Sequence, residues 1–97
     1  MTINKDLQGE TLNVAIEGRL DTSPAPDLEA ALSDLGGVKE LLLDFSKLEY
    51  VSSAGLRVLL ASQKTMNAQG KMLIRNVNDT IMEVFEITGF ADILTIE

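Results

Sequence analysis

The sequence contains no cysteine, no histidine and no tryptophan among its 97 residues. Without cysteine, the chain can form neither disulfide bonds nor thiolate sites. Without histidine, it cannot build the hydrolase or metal centres that depend on imidazole. Small secreted domains commonly need disulfides, so their absence favours a reducing compartment. These absences predict a protein that is not an enzyme and that has no metal site and no cofactor.

Clusters of basic residues and long apolar runs are missing as well. The chain has 8 lysines and arginines against 15 acidic residues, a net charge of -7. Nucleic acids and anionic membranes attract clusters of lysine and arginine, so we expect neither as a partner. Apolar runs such as Val58–Ala61 are far shorter than the roughly 20 residues of a bilayer span. Met1–Asp6 lacks the pattern of a signal peptide, and we therefore expect a cytoplasmic protein without membrane insertion.

The hydrophobic pattern alternates between the periods of strands and helices, and 45% hydrophobic residues suit one core. Thr2–Leu7 and Thr11–Glu17 predict a hairpin with Gly9 in its turn. The other predicted elements are a helix capped by Ser23 and ended by Gly36–Gly37, a strand over Leu41–Phe45, a helix from Ser52–Ser53 to about Gln69, a strand over Lys71–Arg75, a helix capped by Asn78 or Asp79 and ended by Gly89, and a strand over Ile93–Ile96.

This order, β-β-α-β-α-β-α-β, predicts an α/β fold with a mixed, largely parallel sheet, an opening hairpin and helices packed against the sheet. The segments Gly18–Pro24 and Ser46–Val51 are predicted to be loops. The continuous apolar run Leu41–Leu43 predicts a central strand that is covered on both faces.

Two kinds of enzyme or phosphate-handling domain can be tested against the sequence. No glycine-rich phosphate loop or dinucleotide-binding motif is present. A receiver domain phosphorylated on aspartate would use Asp44, near the end of a central strand. Such a site needs an acidic pair after the first strand and a lysine near a late strand, and the sequence supplies neither. We therefore exclude a receiver domain.

Two consecutive serines, Ser52 and Ser53, stand where the second helix is predicted to begin. Serines at this position commonly cap the free backbone N–H groups of a helix. A helix N-terminus also tolerates a phosphate well, because its N–H groups and its dipole favour negative charge. The two interpretations are compatible, since one serine could cap the helix while the other is phosphorylated.

Around these serines the sequence resembles a known family. The resemblance rests on the strand Leu41–Phe45, the segment Tyr50–Leu56, Gly18–Asp21 before the first helix, and Glu86–Phe90 near the end. The chain is similar to the STAS domain, and in particular to the bacterial anti-sigma-factor antagonists. The resemblance covers nearly all of the chain and implies a single STAS domain over residues 1–97.

The resemblance implies a protein that binds an anti-sigma factor with serine kinase activity and thereby releases a sigma factor. Phosphorylation of a serine weakens this complex, and a serine phosphatase restores it. The phosphorylated serine corresponds to Ser53, which precedes Ala54–Gly55. Many members have an acidic residue just before that serine, and here the residue is Ser52, which is the alternative phosphorylation site. The partner-binding residues implied by the family are Asp21, Thr22, Ser52, Ser53, Gly55 and Arg57.

Several of these residues also have structural interpretations. Asp21 could cap the turn before Ser23. Arg57 could pair with Asp21, with Glu49 or with a partner, and an exposed ion pair of little consequence is the structural interpretation. Gly55 could let a partner approach closely or could only fit the helix start. A different function is also open: a STAS scaffold subunit attached to a transporter or another regulatory complex, in which the serine is only a cap.

Overall fold

The computed structural model describes residues 1–97 and shows a five-stranded sheet with three α-helices. The elements are β1 (Thr2–Gln8), β2 (Thr11–Leu20), α1 (Ala25–Ala31), β3 (Glu40–Asp44), β4 (Leu48–Val51), α2 (Ser53–Gln69), β5 (Lys71–Arg75), α3 (Asp79–Thr88) and a 3-10 turn (Phe90–Asp92). The β1–β2 hairpin is antiparallel and the other strand pairs are parallel, so the predicted mixed α/β sheet is confirmed.

The second strand, β2, organises the sheet because it pairs with three other strands. Along the sheet the order is β1-β2-β3-β5, and β4 pairs separately with the end of β2. Residues 11–15 of β2 pair with β3, and Gly18–Leu20 pair with β4. The register shifts between Gly18 and Arg19, and Gly18 has φ +94, a conformation that glycine adopts readily. The glycine therefore marks the change from one neighbouring strand to the other.

The core lies on one face of the sheet. Leu12, Val14 and Ile16 of β2 are buried, whereas the residues between them are half-buried. Buried side chains of all three helices belong to the same cluster of 23 hydrophobic residues. The prediction that β3 is covered on both faces is therefore wrong: Leu41 and Leu43 are buried, but Leu42 is only half-buried. All three helices bury side chains against the same face, and none covers the other.

Two predicted loops contain strand. β2 continues through Leu20, and β4 occupies Leu48–Val51, where a loop was expected. The two segments depend on each other, because the backbone groups at the end of β2 pair with β4 and with the residues on either side of it, Lys47 and Ser52. The predicted last strand is absent, and only Ile96 forms a bridge, to Ile74.

The first helix is shorter than predicted. Pro24 rather than Ser23 occupies the N-cap position, and it offers no side-chain hydrogen bond. The helix ends at Ala31, before Gly36–Gly37, although Leu35 beyond it is buried in the core. The helical spacing of Leu28, Ala31, Leu32 and Leu35 predicts one buried face; the three leucines are buried, but Ala31 is half-buried, and Leu32 and Leu35 lie beyond the helix.

The second and third helices confirm their predicted limits. α2 ends before Gly70. Helical spacing predicts a buried face of Leu56, Leu59, Leu60 and Gln63, and all but the half-buried Leu60 are buried. In α3 the Asn78 side chain accepts a hydrogen bond from the Ile81 N–H at 2.8 Å. Gly89 ends α3 with φ +82, as expected of a glycine C-cap. No helix combines the length and apolar character that a membrane crossing requires.

The junction of α2 and β5 is closed by a backbone contact at Gly70. A Cβ atom on Gly70 would lie 2.0 Å from the carbonyl oxygen of Lys39. The same oxygen accepts a hydrogen bond from the Lys71 N–H at 3.0 Å, and the Gln69 side chain donates to the Val38 carbonyl at 2.8 Å. The segment before β3 is therefore held against the end of α2 with no room for a side chain at position 70.

We expect Gly70→Ala to lower the free energy of unfolding by at least about 2 kcal/mol, because the new methyl group meets fixed backbone. Urea unfolding followed by circular dichroism measures the change. Gly36→Ala is the matched control, since a Cβ atom there would only make an ordinary 3.6 Å contact with the Asp34 side chain. Equal losses in the two variants would contradict the close-contact explanation.

Candidate functional site

The candidate site lies where β2 and β4 end and α2 begins. Leu20 pairs with Val51 in the parallel register, and the Ser52 N–H donates to the Leu20 carbonyl at 2.8 Å. The Ser52 carbonyl then accepts the N–H of Leu56 at 2.9 Å, which starts the helical hydrogen bonds. A backbone hydrogen bond therefore holds the start of the helix at the end of β2, and β4 leads directly into the helix.

The two serines have different environments. Ser52 is only 8% exposed, has an extended backbone, and its Oγ accepts a hydrogen bond from the Gly55 N–H at 3.2 Å. Ser53 is the first helical residue and is exposed. Ser52 is therefore the cap of α2, and the Ser53 hydroxyl is accessible from solvent at the same helix end.

Gly55 belongs to the packing beneath this end. It is buried, and a Cβ atom on it would lie 2.6 Å from Cγ of Leu20 and 3.0 Å from Cγ2 of Val51. The missing side chain allows the helix to approach the two strands. Of the two interpretations of Gly55, the structure shows the one in which it fits the helix start. Gly55 and Ser52 are thus buried residues that pack beneath the site, and they do not belong to its exposed surface.

The other residues expected to bind a partner are accessible. Thr22 and Arg57 are exposed, and together with Ala54 they line one groove between α1 and α2. Asp21 is half-buried and pairs with Arg19, Nε to Oδ2 at 3.2 Å, rather than with Arg57. Arg57 takes part in none of the four ion pairs of the structure. The structure thus brings Thr22, Ala54 and Arg57 together, with Asp21 and Ser53 as their chain neighbours.

Two residues beside Asp21 were missed by sequence reasoning. Arg19 and Tyr50 pair across β2 and β4, and the Arg19 guanidinium carbon lies 4.4 Å from the centre of the Tyr50 ring. The signal for this contact is the register of β4, a strand that the sequence pattern did not reveal. Arg19 was noted only as part of the segment Gly18–Asp21.

Asp44 connects the loops that follow β3 and β5. Its Oδ1 accepts hydrogen bonds from the Asn76 side chain and from the Ser46 N–H, both at 2.9 Å. These bonds, that from Asn76 first, lower the pKa of the Asp44 carboxyl below its ordinary value. Asn76 has φ +60, which asparagine tolerates better than most residues. Asp44 is thus committed to loop structure, and no group of three or more acidic side chains could hold a metal ion.

The fold and this exposed helix start define a small α/β module with an accessible serine at the end of its sheet. The model of the family described as "Mlab, STAS domain" matches residues 3–95. The chain therefore belongs to the STAS-domain family.

Curated relatives and solved structures extend this comparison. The chain is 33% identical over 99 residues to BtrV of Bordetella bronchiseptica, a candidate anti-sigma factor antagonist, covering 99% of this chain and 85% of BtrV. It is 30% identical over 97 residues to the anti-sigma-B factor antagonist of Staphylococcus aureus, covering 97% and 90% of the two chains.

Among solved structures, the unphosphorylated form of the anti-sigma factor antagonist SpoIIAA matches with a TM-score of 0.79 at 21% identity, covering 99% of this chain and 87% of SpoIIAA. The phosphorylated form of the Bacillus protein SpoIIAA matches with a TM-score of 0.78, covering 99% and 91% of the chains. At this identity the structural likeness shows a common fold.

The different environments of the two serines predict different stabilities for their alanine variants. We expect Ser52→Ala to lower the free energy of unfolding by about 0.5–2 kcal/mol, because the cap of α2 is lost. Ser53→Ala should change it by less than about 0.5 kcal/mol, because the exposed side chain does not cap the helix. Urea unfolding of both variants measures the difference, and the reverse order would show that Ser53 is the cap.

The lowered pKa of Asp44 predicts a pH-dependent contribution to stability. The ionised carboxylate stabilises the fold above its ordinary pKa of 3.8, and this contribution is lost as the pH falls through the lower folded-state value. Asp44→Asn keeps an acceptor oxygen but removes the charge. We expect the variant to lose less stability than the wild type between about pH 5 and about pH 3, measured by urea unfolding. Identical pH profiles would contradict the role given to the carboxylate.

Proposed function

We propose that this protein is a cytoplasmic anti-sigma factor antagonist. Its partner is an anti-sigma factor with serine kinase activity, and binding of the unmodified protein releases a sigma factor. Phosphorylation of Ser53 prevents binding, and a serine phosphatase restores it. The observation that supports this proposal most strongly is the exposure of Ser53 beside the buried, hydrogen-bonded Ser52. The names of the curated relatives support the same function.

The surroundings of Ser53 suit a phosphoryl group. Transfer from ATP joins the phosphorus to the Ser53 oxygen, releases ADP and frees the hydroxyl proton. The product lies at the start of a helix of 17 residues with no acidic residue in its first turn. Free N–H groups and the helix dipole favour an anion there by about 0.3–1 kcal/mol. Arg57, four residues later and without an ion pair, adds a positive charge to the same helix end.

Phosphorylation at this position acts on binding without unfolding the domain. A 100-fold loss of affinity requires about 2.8 kcal/mol. A phosphate adds roughly -1.5 to -2 charges, and burying an unpaired charge in an interface costs several kcal/mol, which is sufficient. The two forms of SpoIIAA match this chain almost equally, with TM-scores of 0.79 and 0.78, which supports a switch that leaves the fold unchanged.

The experiment that tests the proposal combines the purified protein with ATP and serine-kinase anti-sigma factors. Intact mass spectrometry should show one added phosphate, and peptide mapping should place it on Ser53. Ser53→Ala should remain unmodified and stay bound to the kinase. Ser52→Ala is the matched control and should still be phosphorylated. Phosphate on Ser52 instead would transfer the assignment to the neighbouring residue and contradict the proposal for Ser53.

The phosphorylated protein should keep the melting temperature and circular dichroism spectrum of the unmodified protein, while its affinity for the kinase falls by about 100-fold or more. A large loss of helical signal would instead mean that phosphorylation acts through the fold. A domain that serves as a scaffold in a transporter complex would take up no phosphate from any of these kinases and would not bind them. That result would overturn the proposal in favour of the scaffold function.

A further inference from the structure

We propose that Arg19 is a contact residue that binds a carboxylate on the partner docking at the Ser53 end. This inference rests on the proposed function and specifies the partner surface that the site recognises. It is carried by one arrangement of side chains, in which Arg19 is held by the ring of Tyr50 and by the carboxylate of Asp21.

The backbone positions this arrangement. Arg19 and Tyr50 are direct neighbours in the parallel register of β2 and β4, and their side chains lie on the same side of the strands. Asp21 follows two residues after Arg19 and reaches its Nε at 3.2 Å. The guanidinium is therefore oriented by two contacts before any partner arrives. Such preorganisation reduces the loss of side-chain freedom on binding.

Most of the guanidinium remains available. Asp21 contacts Nε, and an arginine carries four further N–H donors on its two terminal nitrogens. The Arg19 side chain is 59% exposed. A planar group with free paired donors matches the two oxygens of a carboxylate. The geometry therefore fits an aspartate or glutamate side chain better than a neutral hydrogen-bonding group.

Arg19 lies at the same end of the sheet as the start of α2, with its side chain on the face opposite to that of the buried Leu20. The next residue, Leu20, receives the hydrogen bond from Ser52 that fixes the start of α2. Arginine and tyrosine are also the residue types that contribute most to binding at protein interfaces. Arg19 is the one cation of the structure that stacks on an aromatic ring. The other ion-paired cations, Lys47, Lys71 and Arg75, rely on single carboxylates.

The test measures affinity for the kinase that phosphorylates the wild-type protein, using calorimetry without ATP. Arg19→Ala should weaken binding by about tenfold or more. Arg19→Lys should weaken it nearly as much, because an ammonium group cannot offer paired donors or stack in the same way. Tyr50→Phe keeps the ring and should bind as the wild type does, whereas Tyr50→Leu should bind more weakly. Circular dichroism checks that each variant is folded.

Arg75→Ala is the matched control, since Arg75 is also a half-exposed arginine in one ion pair, with Glu97. It should change the affinity by less than about twofold. Wild-type affinity in Arg19→Ala or in Arg19→Lys would overturn the inference while leaving the proposed function intact.

A wild-type protein that binds no such kinase would instead contradict the proposed function. Arg19 is then tested separately by titration with acetate at constant ionic strength, followed by NMR of the guanidinium groups. A saturable shift at Arg19 and none at Arg75 supports an oxyanion-binding arginine, and unchanged Arg19 signals overturn it.

Discussion

The close approach of α2 to the ends of β2 and β4 is the constraint on which the candidate site depends. It requires the absence of a side chain at Gly55, where a Cβ atom would lie 2.6 Å from the Leu20 side chain. With the helix held this close, the Ser52 backbone reaches the Leu20 carbonyl and its side chain is buried as the cap. Ser53, the next residue, is exposed. Burial of one serine and exposure of the other are consequences of the same packing.

Elements with strong local signals could be predicted from the sequence. The apolar run of β3, the caps of α3 and the glycine after α2 each depend on a few neighbouring residues. β4 could not be predicted in this way, because it has four residues with Glu49 and Tyr50 exposed and no continuous apolar pattern. It forms because the end of β2 offers it backbone partners that are distant in sequence. The predicted final strand is absent for the opposite reason: its residues are mostly apolar, but the segment meets β5 only at the isolated bridge between Ile96 and Ile74.

The candidate site shows the same contrast between local sequence signals and contacts that are distant in sequence. The serine pair at a helix start and its family resemblance were evident in the sequence, but the difference between Ser52 and Ser53 depends on which one reaches the backbone of Gly55. The pairing of Asp21 with Arg19 rather than Arg57 was also beyond prediction, because it depends on how β2 continues past Gly18. The sequence could therefore identify candidate site residues, whereas their hydrogen-bond and ion-pair partners depend on the register between strands.

The division of β2 into two parts has a consequence for how such domains diversify. Its first part carries Leu12, Val14 and Ile16 into the core, each at most 4% exposed. After the register shift at Gly18, its end carries Arg19 on the outside, and Asp21 follows directly after β2. Natural variation at these two positions can therefore alter the accessible surface without repacking the interior. A lineage of duplicated genes could acquire separate binding preferences in this way while keeping one common scaffold.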